Sequence, residues 1–367
     1  MRAGDVISDG RTALGGELGS TRIKACLIAE DGATVLATGS HEWASRYADG
    51  HWTYSLEEVE EGLQSAYAAL VADCQDRYAV VPESVGALGV SAMMHGYLAF
   101  DDSGSLLTPF RTWRDTTTGV AATELAELFG VNIPLRWSIA HLHQAVLDAE
   151  EHMRRIRSIT TLSGYVHHRL TGLSVLGVGD ASGMFPIDPV THGYDENLLR
   201  AYDSLVGDRL PRPLLELLPQ VLPAGAAAGT LTPEGARFLD PSGRLRPGAP
   251  LCPPEGDAGT GMVATNSISP RTGNVSAGTS IFAMVVLERP LQRVRHEIDL
   301  VTTPVGDPVA MVHCNNGASE LAAWAELFGQ FAEAAGAPVD RETAYDALFR
   351  ASLDGAADAG GLLAFNF

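Results

Sequence analysis

Cysteine is scarce in this chain, and the four present, Cys26, Cys74, Cys252 and Cys314, stand far apart with no C-x-x-C pair. That argues against a zinc site or a disulfide framework and fits a reducing cytoplasm. Basic residues are also few: 25 Lys and Arg against 45 Asp and Glu give a net charge of −20. With no long basic run, nucleic acid and an anionic membrane surface are poor partners. No stretch approaches the ~18 consecutive apolar residues that span a bilayer. The opening "MRAGDVISDGRT" has no apolar signal-peptide core. The common phosphate loops are missing too. In "GGELGSTRIKACLI", Gly15, Gly16 and Gly19 are wrongly spaced for G-x-G-x-x-G. Gly19 then leads to Ser20 and Thr21 without the lysine of a P-loop.

What is present suffices for two domains: 367 residues, 46% of them hydrophobic. The acidic charge repels anionic ligands at long range. Any nucleotide must therefore be held locally, by backbone N–H groups, a lysine or two and a bound cation. "IKACLI", the turn "EDG" and "ATVLAT" read as a β-meander, so Gly19-Ser20-Thr21 is a hairpin turn and not a helix entry. Ser55 with Glu58 forms a capping box, followed by Leu56, Val59, Leu63, Tyr67, Leu70 and Val71 at helical spacing. "VGALGVSAMMHG" reads as a buried strand entering a polar loop. "WSIAHLHQAVLDAEEHMRRI" and "TLSGYVHHRLTG" read as helices, the second closed by Gly172. "PRPLLELLPQVLPAGAAAG" is a proline- and glycine-punctuated connection. Alternating helices and strands give an α/β class.

The texture recurs late in the chain. Ala277-Gly278-Thr279-Ser280 aligns with Leu18-Gly19-Ser20-Thr21, the two glycines 259 residues apart. Each is a strand, a glycine with two hydroxyl residues, then an apolar strand, as expected of two related lobes. Two such turns facing each other could grip a polyphosphate, with glycine admitting close backbone approach and the hydroxyls adding uncharged donors.

Four stretches then occur in order: "ELGSTRIKACLI", "SAMMHGYLAFDDSGSLLTPFRTWRD", "GDASGMFPID" and "GDAGTGMVATNSISPRTGNVSAGTSIF". With them the chain resembles the FGGY carbohydrate kinases, closest to their xylulokinase-like branch, within the actin-like ATPase superfamily. The resemblance implies two actin-like (ribonuclease H-like) lobes with mixed sheets flanked by helices. They would be a sugar-binding lobe over 12–256 and a partial nucleotide-binding lobe over 257–367. It implies ATP and Mg²⁺ as cofactors, and a ketopentose or related sugar as the small-molecule partner.

Residue by residue, Asp257 matches the catalytic base, although its place before "AGTGMVAT" also suits a helix cap. Met94, His95, Trp113, Arg114 and Asp115 match the sugar segments. His95 alternatively bonds only backbone. Arg114 stands where relatives often carry Asn; it suits an acidic or phosphorylated sugar, or else a surface ion pair. Gly19, Ser20, Thr21, Gly278 and Thr279 match the phosphate turns. Lys24 either reaches the phosphates or faces solvent from its strand. Glu17, where many relatives carry Asp, would hold Mg²⁺ through water. The pairs His141/His143 and His167/His168 lack the neighbours of a metal site.

The resemblance implies a glycine-rich segment for adenine and ribose, which this sequence is expected to lack. The expectation is an incomplete second lobe, apolar faces without partners, weak or absent ATP binding, and marginal stability or pairing in a homodimer. Two functions follow: a sugar kinase, or a sugar-binding remnant without catalysis. A different ATPase of the superfamily is opposed by the Met-His-Gly and Trp-x-Asp segments.

Overall fold

A computed structural model describes residues 2–277, 281–289, 291, 293–314 and 317–362. The expected meander is present: β1 (Thr12–Leu18), β2 (Arg22–Ala29) and β3 (Val35–Glu42) pair antiparallel in sequence. Alternation of apolar side chains along β1 and β2 puts Leu14, Leu18, Ile23 and Leu27 on one buried face. Helix α1 (Leu56–Tyr78) covers that face with Val59, Leu63 and Leu70, and opens on the capping box: the Glu58 amide donates to Ser55 Oγ, and the Ser55 amide to the Glu58 carboxylate. Each such fully buried aliphatic side chain stabilises the fold by about 1.5–3 kcal/mol.

β4 (Ala87–Ala92) adds parallel to β1. Helix α2 (Leu162–Thr171) ends at Gly172, whose φ of 77° is the left-handed C-cap that the sequence predicts. Helix α3 (Val178–Ala181) is one short turn. β5 (Glu255–Gly256) pairs parallel with β4, and the first sheet has the order β5-β4-β1-β2-β3.

Helix α4 (Asp257–Ala264) leads into the second sheet. Its strands are β6 (Gly273–Ala277), β7 (Ile281–Val286), β8 (Asp299–Thr302) and β9 (Pro308–Cys314), in the antiparallel order β6-β7-β9-β8. Helices α5 (Ala318–Ala334) and α6 (Arg341–Ser352) follow. Both sheets thus contain an antiparallel pair of consecutive strands, β1–β2 and β6–β7, three residues apart in sequence. Gly278 and Thr279 lie outside the described residues. Two cores result: Leu14, Leu18, Ile23 and Leu27 of the first sheet belong to one cluster, while Met284, Val301 and Met311 of the second sheet pack in another with Met94, Trp137 and Phe185.

Two expectations need correction. The helix read over 137–156 stops at Leu147, and a 3₁₀ turn occupies Glu151–Arg154. Ala149 turns left-handed with φ 51°, and Glu150 is drawn inward to pair with the buried Arg111 and with His152. The connection over 211–229 also holds a short strand, Gln220–Leu222, paired parallel with Val175–Gly177.

Among the described residues no helix is long and apolar enough to cross a membrane.

Candidate active site

The cleft between the sheets is built where β1, β4 and β5 end. β4 stops at Ala92, and the chain bends through His95 and Gly96, with φ of 73° and 93°. Gly96 is required there, since a Cβ would lie 2.7 Å from the Arg111 carbonyl oxygen. The bend places Met94 and His95 at the cleft. His95 is 4% exposed, with Nδ1 3.5 Å from the Gly183 carbonyl. Burial, aided by the Arg136 charge, holds its pKa well below the ordinary histidine range. A neutral imidazole results, able to donate at one nitrogen and accept at the other.

Asp257 opens α4 directly after β5, and the cap position itself belongs to Gly256. Asp257 Oδ1 accepts from the Met94 amide at 3.2 Å and from the Ala258 amide at 2.9 Å. Burial pushes its pKa up to about 6, against the pull of these two amides; the Glu17 carboxylate adds to the rise. It is a better proton acceptor than an ordinary aspartate, fixed at the helix N-terminus.

A cavity of about 70 Å³ collects Ser20, Met94, His95, Trp113 and Asp257, with Phe282 and His313 from the second sheet. A larger cavity of about 860 Å³ shares Trp113, Arg136 and His313 with it and extends to Asp115, Glu297 and Asp299. His313 packs edge-on to Trp113, with ring centroids 6.0 Å apart, and burial lowers its pKa to about 4.

The Gly19–Thr21 turn is held from behind. Trp43 Nε1 donates to the Gly19 carbonyl at 2.7 Å, and the Tyr54 hydroxyl donates to the Ser20 carbonyl at 2.6 Å. In trans peptides the next N–H points opposite to each carbonyl, so the Ser20 and Thr21 amides aim away from these two rings. Across the hairpin, Glu17 is in register with Lys24, and their charged groups lie 3.1 Å apart.

Five residues singled out in the sequence therefore meet in one cavity: Ser20, Met94, His95, Trp113 and Asp257. Asp115 is buried and lines only the larger cavity. It accepts from His51 and from the Thr117 amide and hydroxyl; burial raises its pKa, but these bonds and the neighbouring His141 prevail and hold it below the usual carboxylate range. Arg114 lines neither cavity. Its guanidinium lies 3.8 Å over the Trp52 ring and donates to Ser45 Oγ at 3.0 Å.

Sequence reasoning missed Arg136, His313, Asp299 and Glu255, which carry no local signature. Arg136, between the lobes, pairs with the buried Asp299, which also accepts from Asn132 at 3.1 Å. Burial pushes the Asp299 pKa up despite these partners. Arg136→Met leaves that carboxylate unpaired, so the expected loss is about 3 kcal/mol of unfolding free energy. The loss grows with pH, because a carboxylate of raised pKa resists burial only once ionised. Urea unfolding at acidic and alkaline pH checks this; equal losses at both would contradict it.

The sequence matches the family model described as the FGGY family of carbohydrate kinases, N-terminal domain, over residues 12–240, and the C-terminal domain of the same family over 273–366. The xylulose kinase of Escherichia coli K12 is 24% identical over 281 residues, covering 73% of this chain and 52% of that protein. The chain thus spans about half the length of that relative. Among solved structures, xylulose kinase from Rhodospirillum rubrum superposes with a TM-score of 0.78 at 20% identity, covering 97% of this chain and 70% of that one. Gluconate kinase from Lactobacillus acidophilus gives 0.69 at 16% identity, covering 86% of this chain and 61% of that one. These likenesses bear out the two-lobed actin-like fold, and with the match over most of its length the chain belongs to the FGGY family of carbohydrate kinases.

Proposed function

We propose that this protein transfers the γ-phosphate of ATP to a hydroxyl of a ketopentose, xylulose- or ribulose-like, or of a related sugar. The observation that carries the reading is Asp257: a carboxylate of raised pKa, fixed by two amides, in a cavity that also holds Met94, His95, Trp113 and the Ser20 turn. The lobe over 12–256 binds the sugar, and the lobe from 257 closes over the nucleotide phosphates. Met94 and Trp113 pack the sugar's apolar edge, while neutral His95 reads a hydroxyl. Asp257 takes the hydroxyl proton as the oxygen bonds to the γ-phosphorus, and the bond to the β-phosphate oxygen breaks to release ADP. The amides and hydroxyls of Ser20 and Thr21 and Gly19's close approach hold the phosphates, with Gly278 and Thr279 as their counterparts in sequence.

Mg²⁺ keeps most of its waters and needs one or two carboxylates beside substrate phosphates. Glu17 and Asp257 fit that demand, although among the described residues no group of three or more His, Cys, Asp or Glu could hold a metal alone. When bound, the ion neutralises charge on the transferring group. Lys24, paired with Glu17, is placed to exchange partners with a phosphate. Glu17→Gln is expected to raise the Mg²⁺ concentration for half-maximal rate by about tenfold, within the range for outer-sphere ligands. An unchanged Mg²⁺ titration would remove Glu17 from this role.

A second reading, sugar binding without turnover, is favoured by one observation. Helices α5 and α6 present Trp324, Phe328, Phe331 and Phe349 to solvent, each at least half exposed. Transfer of labelled γ-phosphate to a panel of ketoses, polyols and sugar acids separates the readings. Label on a ketopentose supports the kinase. Calorimetric sugar binding with no label transferred supports the second reading.

A further inference from the structure

Glu255 lies two residues before Asp257 and is 6% exposed. Its carboxylate does not face the cleft. Oε1 accepts from the Gly179 amide at 3.2 Å, and Oε2 from the Asp180 amide at 2.9 Å. The loop is shaped to admit it. A Cβ at Gly177 would stand 2.1 Å, and at Gly179 2.5 Å, from a Glu255 oxygen. The Gly177 amide also donates to the Pro254 carbonyl at 2.8 Å, so the two segments run zipped together.

The contact chain continues to the reacting end. Asp180 Oδ2 accepts from Thr161 and Ser163 hydroxyls at 2.6 and 2.5 Å, while Oδ1 is buried with no hydrogen-bond partner. A Cβ on Gly256 would meet Asp180 Oδ1 at 3.3 Å and Met94 Cγ at 2.8 Å. Asp180, Glu255, Gly256, Met94 and Asp257 thus form one close-packed unit in which glycine stands at each tight approach.

We propose that Glu255 is a positioning residue: by gripping the Gly179 and Asp180 amides it locks the turn that carries Asp257 and so aims that carboxylate at the substrate. The proposal rests on Asp257 being the base. Burying an acidic side chain costs desolvation that its partners must offset, so holding one there works against stability. Such a group is retained for placement, and misplacement of a reacting group by about 1 Å costs on the order of 10²-fold in rate.

Two variants of the full chain test this by different routes. Glu255→Gln keeps the shape but turns an N–H donor toward one of the two amides. Gly179→Ala leaves Glu255 intact and drives a methyl group into its carboxylate. Each is expected to lower kcat about 10–100-fold while KM for the sugar moves less than about threefold. The double variant is expected to be no slower than the worse single, because both break one clamp. Amide hydrogen exchange reads the clamp without turnover: protection over 178–181 and 257–260 is expected to fall together in Glu255→Gln while α1 keeps its own. Unchanged kcat in a folded variant, KM rising in step with falling kcat, or unchanged exchange would each overturn the proposal. A wild-type chain silent on every sugar overturns the kinase reading instead, and the exchange result still decides the clamp.

Discussion

Asp257→Asn is expected to lower kcat by about 10³-fold with little change in KM for the sugar, since loss of a positioned base costs on the order of 10²–10⁴. Asn keeps an oxygen to accept from the Met94 and Ala258 amides, so the turn stays in place while proton acceptance is lost. The wild-type rate should rise with pH through about 6 and level off above it, because only the ionised carboxylate accepts the proton. Stability should move the other way. A carboxyl group whose folded pKa is raised from 3.8 to about 6 opposes folding only when ionised. That penalty is absent at low pH, grows as pH rises through this window and is complete above it. Asp257→Asn removes it, so the variant should be nearly inactive yet more stable at pH 8 than at pH 4, relative to wild type. Coupled ADP-release kinetics and urea titrations at the two pH values check both halves. A variant equally destabilised at both would show the substitution to be disruptive.

Gly39→Ala carries the largest expected effect on the fold. β3 crosses α1 so closely that a Cβ at Gly39 would lie 2.1 Å from the Ala66 carbonyl oxygen and 2.4 Å from the Leu70 amide nitrogen. Both atoms are helix backbone, which cannot swing aside as a side chain can. Nearby, a Cβ at Gly62 would meet Ile23 Cδ1 at 2.5 Å, so the helix lies flush on the sheet from both sides. Forcing a methyl group into that contact is expected to cost about 3 kcal/mol, the upper range for overpacking. Gly119→Ala is the comparison: no atom lies within 4 Å of its Cβ position, and the change should stay within about 1 kcal/mol. A loss below about 1 kcal/mol at Gly39, measured by urea unfolding, would mean that the helix shifts easily and that this face is not tightly specified.

The contrast between these positions shows what the sequence could disclose. Features set by neighbours in the chain were legible: the β1–β2 turn at Gly19, the Ser55–Glu58 box and the Gly172 cap each satisfy a local backbone need. The helix read through residue 156 was too long because Ala149 has good helix propensity; what ends the helix is the distant Arg111, which pulls Glu150 inward. The site divides the same way. Met94, His95, Trp113 and Asp257 were found through motifs, and the structure gathers them. The motif groups Arg114 with Trp113, but the two part company: Trp113 turns into the cavity and Arg114 outward onto Trp52. Arg136, His313 and Glu255 act through contacts with residues far away in sequence, and no spacing rule reveals such meetings.

The proposed role of the cavity around Asp257 is to bind a sugar and activate its hydroxyl. The most direct measurement is initial-rate ADP release by the whole chain at millimolar ATP and Mg²⁺, with and without xylulose, run beside Asp257→Asn. Sugar-stimulated release is expected in the wild type and none above background in the variant. Stimulated release that survives in Asp257→Asn would contradict that role.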